Sequence, residues 1–341
     1  MCKIKTQILS EKDVAVAAQI LKSGGLVAIP TETVYGLAAN ALNEAAVQKI
    51  FAAKGRPSDN PLIVHISEID EIYNLVSEFP SKAQKLADAF WPGPLTMILK
   101  KSRVIPNIIS GGLDSVAIRF PANSVARKII KDSGCPLAAP SANLSGSPSP
   151  TKTAHVIADL FGKIDAIVDA GTCNVGVEST VISLCTDNPK ILRPGAVTLE
   201  QLRNVLGDVE IDVAVLSKLD ENSKPLSPGM KYKHYAPKAK VIILNGSREK
   251  YINYVNSHAS NNVAALCYDE DVKDLKTSAS ITFGRENDLK SQAEMLFDAL
   301  REIDKMSNID VVYSRCPAKE GIGLAVYNRL IRAAGFNIIN L

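Results

Sequence analysis

The chain has 341 residues, of which 46% are hydrophobic and 22% are charged, and its formal net charge is only +3. The length predicts roughly two domains of about 150 residues each. The composition excludes a largely disordered chain, and the small, scattered charge disfavours a large nucleic-acid interface. The N-terminal residues lack the apolar core of a secretory signal, and no apolar run reaches the roughly 20 residues of a membrane span. We therefore expect a cytoplasmic protein.

The first 206 residues alternate short apolar runs with helical patterns, which is typical of an α/β domain. We predict strands at 26–29, 62–66, 96–99, 116–120, 137–139, 166–168, 180–184 and 191–192. We predict helices at 13–22, 44–54, 81–90, 124–131, 151–161 and 199–206. Because the last strands are joined by short loops, part of the sheet should be antiparallel, and we expect a twisted mixed sheet flanked by helices.

The pattern lapses between 207 and 238 and returns in a smaller unit at 239–341. The intervening segment is polar and proline-containing like a linker, but it ends in an aromatic and basic stretch around Tyr232, which indicates a lid over a site. The C-terminal unit should have strands at 241–244, 263–267, 281–283 and 309–313, with helices at 289–306 and 323–334. The domain hypothesis is 1–206 catalytic, 207–238 linker and lid, and 239–341 a second α/β domain.

Two clusters carry groups that suit a polyphosphate. Lys54-Gly55-Arg56 and Ser141-Ala142-Asn143 each stand where an apolar run gives way to a polar loop. Cations neutralise phosphate charge, and hydroxyl and amide groups hold its oxygens. No P-loop, dinucleotide fingerprint, zincin or hydrolase-elbow motif is present in the sequence, so the common nucleotide and hydrolase classes are disfavoured.

Several polar residues at strand ends have two readings. Thr31, Thr33 and Tyr35 follow a buried strand, and they are either pocket residues or a turn that bonds its own backbone. His65 is either a ligand-binding residue or an ordinary strand-end histidine. Alternation places Arg119 opposite Val116, Ile118 and Phe120, facing either solvent or a pocket in which an unpaired cation needs an anion.

Arg193, like Arg119, faces either solvent or a pocket in which an unpaired cation needs an anion. Glu178 and Ser179 lie in a glycine-containing stretch beside a strand, which suits either close approach to a ligand or a plain turn. Ser149 and Thr151 precede a helix and are either N-caps or part of an anion site. The six cysteines are far apart with no C-x-x-C pair, so we expect reduced, mostly buried thiols rather than a zinc site or disulfides.

Together these motifs resemble one family. The chain resembles the YrdC-like threonylcarbamoyl-AMP synthases in several motifs. These are Pro30-Thr31-Glu32-Thr33-Val34-Tyr35-Gly36-Leu37, the K-x-R cluster Lys54-Gly55-Arg56, Trp91-Pro92-Gly93-Pro94, the S-x-N cluster Ser141-Ala142-Asn143, and Glu178-Ser179-Thr180. Lys231-Tyr232-Lys233-His234-Tyr235 and Lys319-Glu320-Gly321-Ile322-Gly323 resemble the linker and C-terminal domain of the two-domain form. The resemblance covers essentially the whole chain. It implies a YrdC-like N-terminal domain and a smaller Rossmann-like C-terminal domain.

The resemblance also implies an activity. Such enzymes are nucleotidyltransferases that join L-threonine, bicarbonate and ATP into threonylcarbamoyl-AMP with release of pyrophosphate, for modification of the tRNA adenosine beside the anticodon. It implies Mg²⁺ with ATP, held by phosphates rather than protein side chains. It also implies transfer of the product to a downstream tRNA threonylcarbamoyl transferase complex, and a weak RNA contact.

The resemblance implies specific site residues. The catalytic group comprises Lys54, Arg56, Ser141 and Asn143. The threonine site comprises Thr33, His65, Arg119, Ala139 and Ser179. The ATP site comprises Arg56, Asn60, Ser115, Ser141, Ser149, Arg193 and Tyr232.

Two alternatives and one gap remain. The chain could be an RNA-binding module, which the modest charge disfavours. It could also transfer carbamoyl groups in hydrogenase maturation, which the missing C-x-x-C pairs disfavour. The sequence identifies no general base, oligomeric state or ligand of the C-terminal domain.

Overall fold

The computed structural model describes residues 4–217 and 235–341. The chain divides into two compact units. Among the described residues, the first contains 4–145, 149–174 and 178–217, and the second contains 146–148, 175–177 and 235–341. Residues 218–234 of the predicted linker and lid segment at 207–238 lie outside the described residues, so the role of that segment stays a prediction.

The first unit contains eleven strands and eight α-helices among its described residues. The strands are β1 (Gln7–Ser10), β2 (Val27–Ile29), β3 (Gly36–Asn40), β4 (Ile63–His65), β5 (Leu95–Lys100), β6 (Ser115–Arg119), β7 (Leu137–Ala138), β8 (Ala166–Asp169), β9 (Thr180–Ser183), β10 (Lys190–Arg193) and β11 (Glu210–Ile211). The helices are α1 (Val14–Lys22), α2 (Glu44–Lys54), α3 (Ile72–Leu75), α4 (Ser81–Phe90), α5 (Asn107–Ser110), α6 (Ser124–Ser133), α7 (Thr153–Leu160) and α8 (Leu199–Leu206).

The strands form one sheet in the order β1-β8-β2-β3-β7-β4-β6-β5-β9-β10-β11. Parallel pairs such as β4 with β6 and antiparallel pairs such as β5 with β6 occur together, which confirms the predicted mixed sheet. Beyond residue 206, Glu210–Ile211 pairs with β10, so the sheet continues into the segment predicted as linker and lid.

Three strands of this sheet, β1, β3 and β11, were absent from the sequence prediction. β3 is rich in glycine and alanine, which have low β-propensity, and it forms only because it pairs with β2 and β7 inside the core. β1 is a short edge strand with one buried position, so no alternating pattern marks it.

The two faces of the sheet are covered differently. The largest core cluster packs α2, α4, α7 and α8 against one face. A second cluster packs α1 and α6 against the opposite face, over β1, β8, β2, β3 and β7. The rest of that second face, on β4, β6, β5, β9 and β10, carries a small apolar cluster with no α-helical member.

Side-chain alternation along β6 shows how the sequence sets these faces. Val116 and Ile118 belong to the largest core cluster, whereas Ala117 belongs to the small cluster on the other face. Arg119 therefore shares the face of Ala117, which confirms the predicted alternation. The half of the sheet that lacks a covering α-helix is thus the half that carries Arg119.

Local sequence signals explain where several helices begin and end. The side chain of Asn43 caps α2, that of Asn123 caps α6, and Thr198 and Gln201 form a capping box at α8. Gly55 and Gly134 end α2 and α6 in the left-handed conformation, which glycine adopts without steric cost.

The second unit is a parallel α/β fold. Its strands are β12 (Lys240–Asn245), β13 (Val263–Cys267), β14 (Ala279–Thr282), β15 (Val311–Arg315) and β16 (Ile338–Asn340), and its helices are α9 (Arg248–Ser257), α10 (Leu289–Lys305) and α11 (Gly323–Ala333). The sheet order is β14-β13-β15-β12-β16, with every pair parallel, as expected for a Rossmann-like domain.

The sequence prediction missed two elements of this unit, α9 and β16. α9 buries only Tyr251 and Val255, so its apolar stripe is too narrow to recognise from periodicity. In the described part of the whole chain, every helix is too short or too polar to cross a membrane.

Candidate active site

Strand register places His65, Arg119 and Thr96 in one row, on the half of the sheet that lacks a covering α-helix. His65 on β4 is the register partner of Arg119 on β6, and Arg119 is the partner of Thr96 on β5. Neighbouring strands lie about 4.8 Å apart, so these three side chains are adjacent on one face. All three are buried. The row forms the centre of a polar site at the strand ends.

Arg119 is tied to the loop that follows β2. Its Nη2 lies 2.7 Å from Glu32 Oε1, and its Nη1 donates to Thr33 Oγ1 at 2.9 Å. Only 4% of Arg119 is exposed, so the solvent-facing alternative of the sequence analysis does not apply.

The Glu32 carboxylate is the charge partner of the buried Arg119. The sequence predicts that Arg119, if it is buried in a pocket, needs a bound anion. The structure instead supplies an anion from within the protein, the carboxylate of Glu32. Burial alone would raise the pKa of Glu32, but the charge of Arg119 and its hydrogen bond outweigh burial and hold that pKa below the ordinary value. Glu32 was absent from the predicted site residues, although its place inside the Pro30–Leu37 motif was a signal that could have identified it.

His65 is a neutral imidazole in this environment. Burial, reinforced by the charge of Arg119, lowers the pKa of His65 to about 3. Its Nδ1 atom is buried and has no hydrogen-bond partner among the described residues. His65 can therefore offer an uncharged donor or acceptor beside Arg119.

Ser179 and Arg193 join the same site from β9 and β10. Ser179 Oγ lies 2.8 Å from Thr96 Oγ1, and Arg193 Nη2 donates to it at 3.1 Å. Arg193 Nε also donates to the Ser179 carbonyl at 3.1 Å. The structure thus brings together predicted residues of the threonine and ATP sites, with Thr96 as a further member that the sequence did not single out.

Lys54 contacts the S-x-N loop directly. Its ammonium donates to the carbonyl oxygens of Ser141 at 2.5 Å and Asn143 at 2.6 Å. Burial, together with the nearby charge of Arg56, lowers the pKa of Lys54 well below its usual value. The two motifs that stood out in the sequence are therefore one structural unit, in which Lys54 holds the loop.

Arg56 is half-buried and lies at the end of α2. Its Nη2 donates to the Pro61 carbonyl at 3.2 Å, next to Asn60. The Asn60 amide is buried, and neither of its polar atoms has a hydrogen-bond partner in the described part of the chain. The Asn143 amide donates to the Leu144 carbonyl at 2.7 Å.

The remaining predicted residues differ in their surroundings. Ser149 is buried, and its hydroxyl donates to Glu178 at 2.5 Å, so it does not cap α7, whose N-cap is Lys152. Ser115 lies at the other end of β6 from Arg119, about 13 Å away along the strand but on the same face. The backbone N–H of Ala139 donates to Ile63. Tyr232 lies outside the described residues.

Two residues near the site have structural roles. Tyr35 is buried in the core, where its hydroxyl donates to the Gly171 carbonyl at 2.8 Å. Thr31 donates to the Val34 carbonyl at 2.6 Å, which is the turn reading of that threonine. Of the six cysteines in the sequence, the five at described positions are free.

The fold and site define an α/β protein of two compact units, the first of which carries buried charged and hydroxyl side chains and a loop held by Lys54. Two family models cover most of the chain. A Sua5–YciO–YrdC model, described as telomere recombination, matches residues 19–195. A model described as threonylcarbamoyl-AMP synthase, C-terminal domain, matches residues 197–335. The chain belongs to the threonylcarbamoyl-AMP synthase family.

Individual relatives agree over nearly the full length. The chain is 44% identical to a threonylcarbamoyl-AMP synthase of Pyrococcus abyssi, covering 98% of this chain and 97% of the relative. It is 45% identical to that of Bacillus subtilis, with the same coverage. The crystal structure of P. abyssi Sua5 complexed with L-threonine matches with a TM-score of 0.93 at 44% identity, covering 98% of this chain and 100% of that one.

Proposed function

We propose that this protein joins L-threonine, bicarbonate and ATP into threonylcarbamoyl-AMP and releases pyrophosphate. The observation that carries the proposal is the buried row of His65, Arg119 and Thr96, on a sheet whose β4 follows the Lys54-Gly55-Arg56 loop. The P. abyssi relative, solved with L-threonine, supports threonine as a substrate of this chain.

The threonine site follows from charge and size. The carboxylate of the amino acid pairs with the Arg119 guanidinium, which keeps donors beyond those directed to Glu32 and Thr33. Uncharged hydrogen-bonding groups of His65 and Ser179 surround it. A carbamate formed on the amine is labile in water, so a buried site protects it.

The ATP site extends along the same face. Arg56 and the Ser141 and Asn143 side chains contact phosphate oxygens. The buried amide of Asn60, which has no hydrogen-bond partner among the described residues, supplies a further polar group. Lys54 contributes indirectly, because its ammonium group donates to the carbonyl oxygens of Ser141 and Asn143 and so fixes the loop that they form. Carbamate attack on the α-phosphorus, with pyrophosphate leaving in line, is then mainly positioning and charge neutralisation.

Magnesium enters this proposal only as a companion of the ATP phosphates. The described residues contain no group of three or more His, Cys, Asp or Glu side chains able to hold a metal ion. No step of the proposed chemistry is assigned to a protein-held metal.

The product serves threonylcarbamoyl modification of tRNA adenosine next to the anticodon. We place the protein in the cytoplasm and its product with a downstream tRNA threonylcarbamoyl transferase complex. A weak RNA contact fits the small positive net charge of +3 better than a large nucleic-acid interface does.

The direct test is pyrophosphate release from ATP by the purified full-length chain. Release should require threonine and bicarbonate together, with Mg²⁺ present. Release that is independent of threonine, or absent under all conditions, contradicts the proposal.

A further inference from the structure

We propose, resting on the threonine site described above, that Glu32 receives the α-ammonium group of threonine and accepts the proton which that amine must lose. Glu32 lies in the loop between β2 and β3 and is 8% exposed. One carboxylate oxygen lies 2.7 Å from Arg119 Nη2, and the other accepts a hydrogen bond from the Asn123 backbone N–H at 3.4 Å.

The placement follows from the shape of an amino acid. The ammonium and carboxylate groups of threonine are attached to the same carbon, so a carboxylate bound to Arg119 places the ammonium within a few ångströms of that guanidinium. A buried ammonium requires an anion, or it loses much of its binding energy. Glu32 is the carboxylate that the structure shows in direct contact with Arg119 in the described part of the chain.

Besides Arg119, the groups that the described part of the chain places near Glu32 are uncharged. His65 is a neutral imidazole, and burial raises the pKa of the Cys173 thiol to about 12. The Thr33 hydroxyl accepts a hydrogen bond from Arg119, and Asn123 donates its backbone N–H to Glu32. Arg119 is therefore the charged group that controls the protonation of Glu32.

The binding of threonine should change the effect of Arg119 on the protonation of Glu32. In the structure, the charge of Arg119 and its hydrogen bond together outweigh burial and hold the pKa of Glu32 below its ordinary value. When the threonine carboxylate pairs with Arg119, it neutralises that charge, and burial then raises the pKa of Glu32. Glu32 becomes a better base when the substrate is in place.

Proton transfer to Glu32 prepares the amine of threonine for carbamate formation. The ammonium gives one proton to the Glu32 carboxylate and becomes a neutral amine. Its lone pair forms the N–C bond to bicarbonate, and the departing oxygen leaves as water with the second nitrogen proton. The resulting carbamate oxygen attacks ATP, while Glu32 releases its proton through a cavity of about 340 Å³ that it lines together with Asn123 and Cys173.

The test compares Glu32→Gln and Glu32→Asp with the wild-type full chain. The first measurement is the binding of threonine and of 2,3-dihydroxybutyrate, the analogue in which a hydroxyl replaces the amine. The wild type should prefer threonine, and Glu32→Gln should reduce this preference at least about tenfold while analogue binding changes little. Glu32→Asp, which keeps the anion, should restore part of the preference.

The second measurement is the pH profile of threonine-dependent pyrophosphate release. In Glu32→Gln the rate at subsaturating threonine should rise about tenfold per pH unit until the free amine dominates, because only pre-deprotonated threonine reacts. The wild type and Glu32→Asp should have flatter profiles. Glu68→Gln, a change in an exposed glutamate paired with Lys131, is the matched control and should alter neither measurement.

Two results would overturn the proposal. Equal loss of threonine and analogue binding in Glu32→Gln would mean that Glu32 acts only by positioning Arg119. An unchanged pH profile would mean that another group takes the proton. Absence of pyrophosphate release from the wild type would instead contradict the proposed function, and the binding comparison would still test Glu32 because it requires no turnover.

Discussion

At the scale of single residues, the ion pair between Arg119 and Glu32 determines both the charge and the stability of the site. Both side chains are almost fully buried, at 5% and 8% exposure. Removing one member of such a pair is more damaging than removing both, because a lone buried charge has lost its water without gaining a partner.

Arg119→Ala should therefore cost roughly 3–5 kcal/mol of folding free energy, and adding Glu32→Gln should recover part of that loss. The measurement is urea unfolding followed by the fluorescence of Trp91, the single tryptophan, which lies in the first unit. Arg103→Ala, at an exposed position, is the control. A double variant as unstable as Arg119→Ala would show that the charge of Glu32 is not the cause.

His65 gives a stability prediction with a defined sign. Its pKa falls from the usual 6.5 to about 3 on folding, so the unfolded chain takes up a proton in this range before the folded chain does. Stability should therefore fall as pH decreases from 6.5, with a slope that approaches about 1.4 kcal/mol per pH unit.

The check is urea unfolding by Trp91 fluorescence between pH 6.5 and about pH 5, above the range in which most carboxylates titrate. His65→Gln should lose most of the slope, whereas His258→Gln, at an exposed position, should keep it. Identical slopes in His65→Gln and the wild type would mean that the imidazole is not held neutral.

At the scale of elements, the end of α2 and the loop after β7 act together. Lys54, the last residue of α2, donates to two carbonyl oxygens of the Ser141–Asn143 loop, whereas the half-buried Arg56 lies beyond the glycine that ends the helix. The K-x-R spacing therefore separates a residue that holds the loop from a residue that can reach a ligand.

This division predicts different defects for the two cations. Lys54→Met leaves two carbonyl groups without their donor and should cost about 1–3 kcal/mol for each, with faster hydrogen exchange in the loop around Ser141. Arg56→Ala should change stability by less than about 1 kcal/mol but weaken ATP turnover far more than threonine binding. Equal stability losses in the two variants, or equal losses of ATP and threonine functions in Arg56→Ala, would contradict the division.

The same elements show what the sequence could and could not provide. The period-two pattern of β6 was enough to place Arg119 on the face opposite Val116 and Ile118, because alternation is a local property. The pairing of β3 with β2 and β7, by contrast, depends on partners distant in sequence and on residues of low strand propensity.

The sequence identified most of the residues of the candidate site, but it did not show which of them contact one another. The K-x-R and S-x-N motifs were visible in the sequence, but the donation from Lys54 to the Ser141 carbonyl depends on tertiary structure. The Glu32–Arg119 pair joins residues that lie on different elements, and no local pattern links them. Individual roles in substrate binding stay predictions of the motif match.

At the scale of the whole molecule, the chain combines a unit with a mixed sheet and a smaller unit with a parallel sheet. The segment around Tyr232 connects the two in sequence and remains the predicted lid. Cutting the chain near Ser227 should abolish pyrophosphate release if this segment closes the site and excludes water. Unchanged turnover by the cleaved protein would make the segment a tether.

The central claim is that one buried site joins threonine, a bicarbonate carbon and adenylate. The most direct measurement is mass spectrometry of the nucleotide product formed from ATP, threonine and carbon-13 bicarbonate. The account predicts threonylcarbamoyl-AMP that carries the label in its carbamoyl carbon, and no such product from Arg119→Ala. A nucleotide product without the label, such as threonyl adenylate, would contradict it.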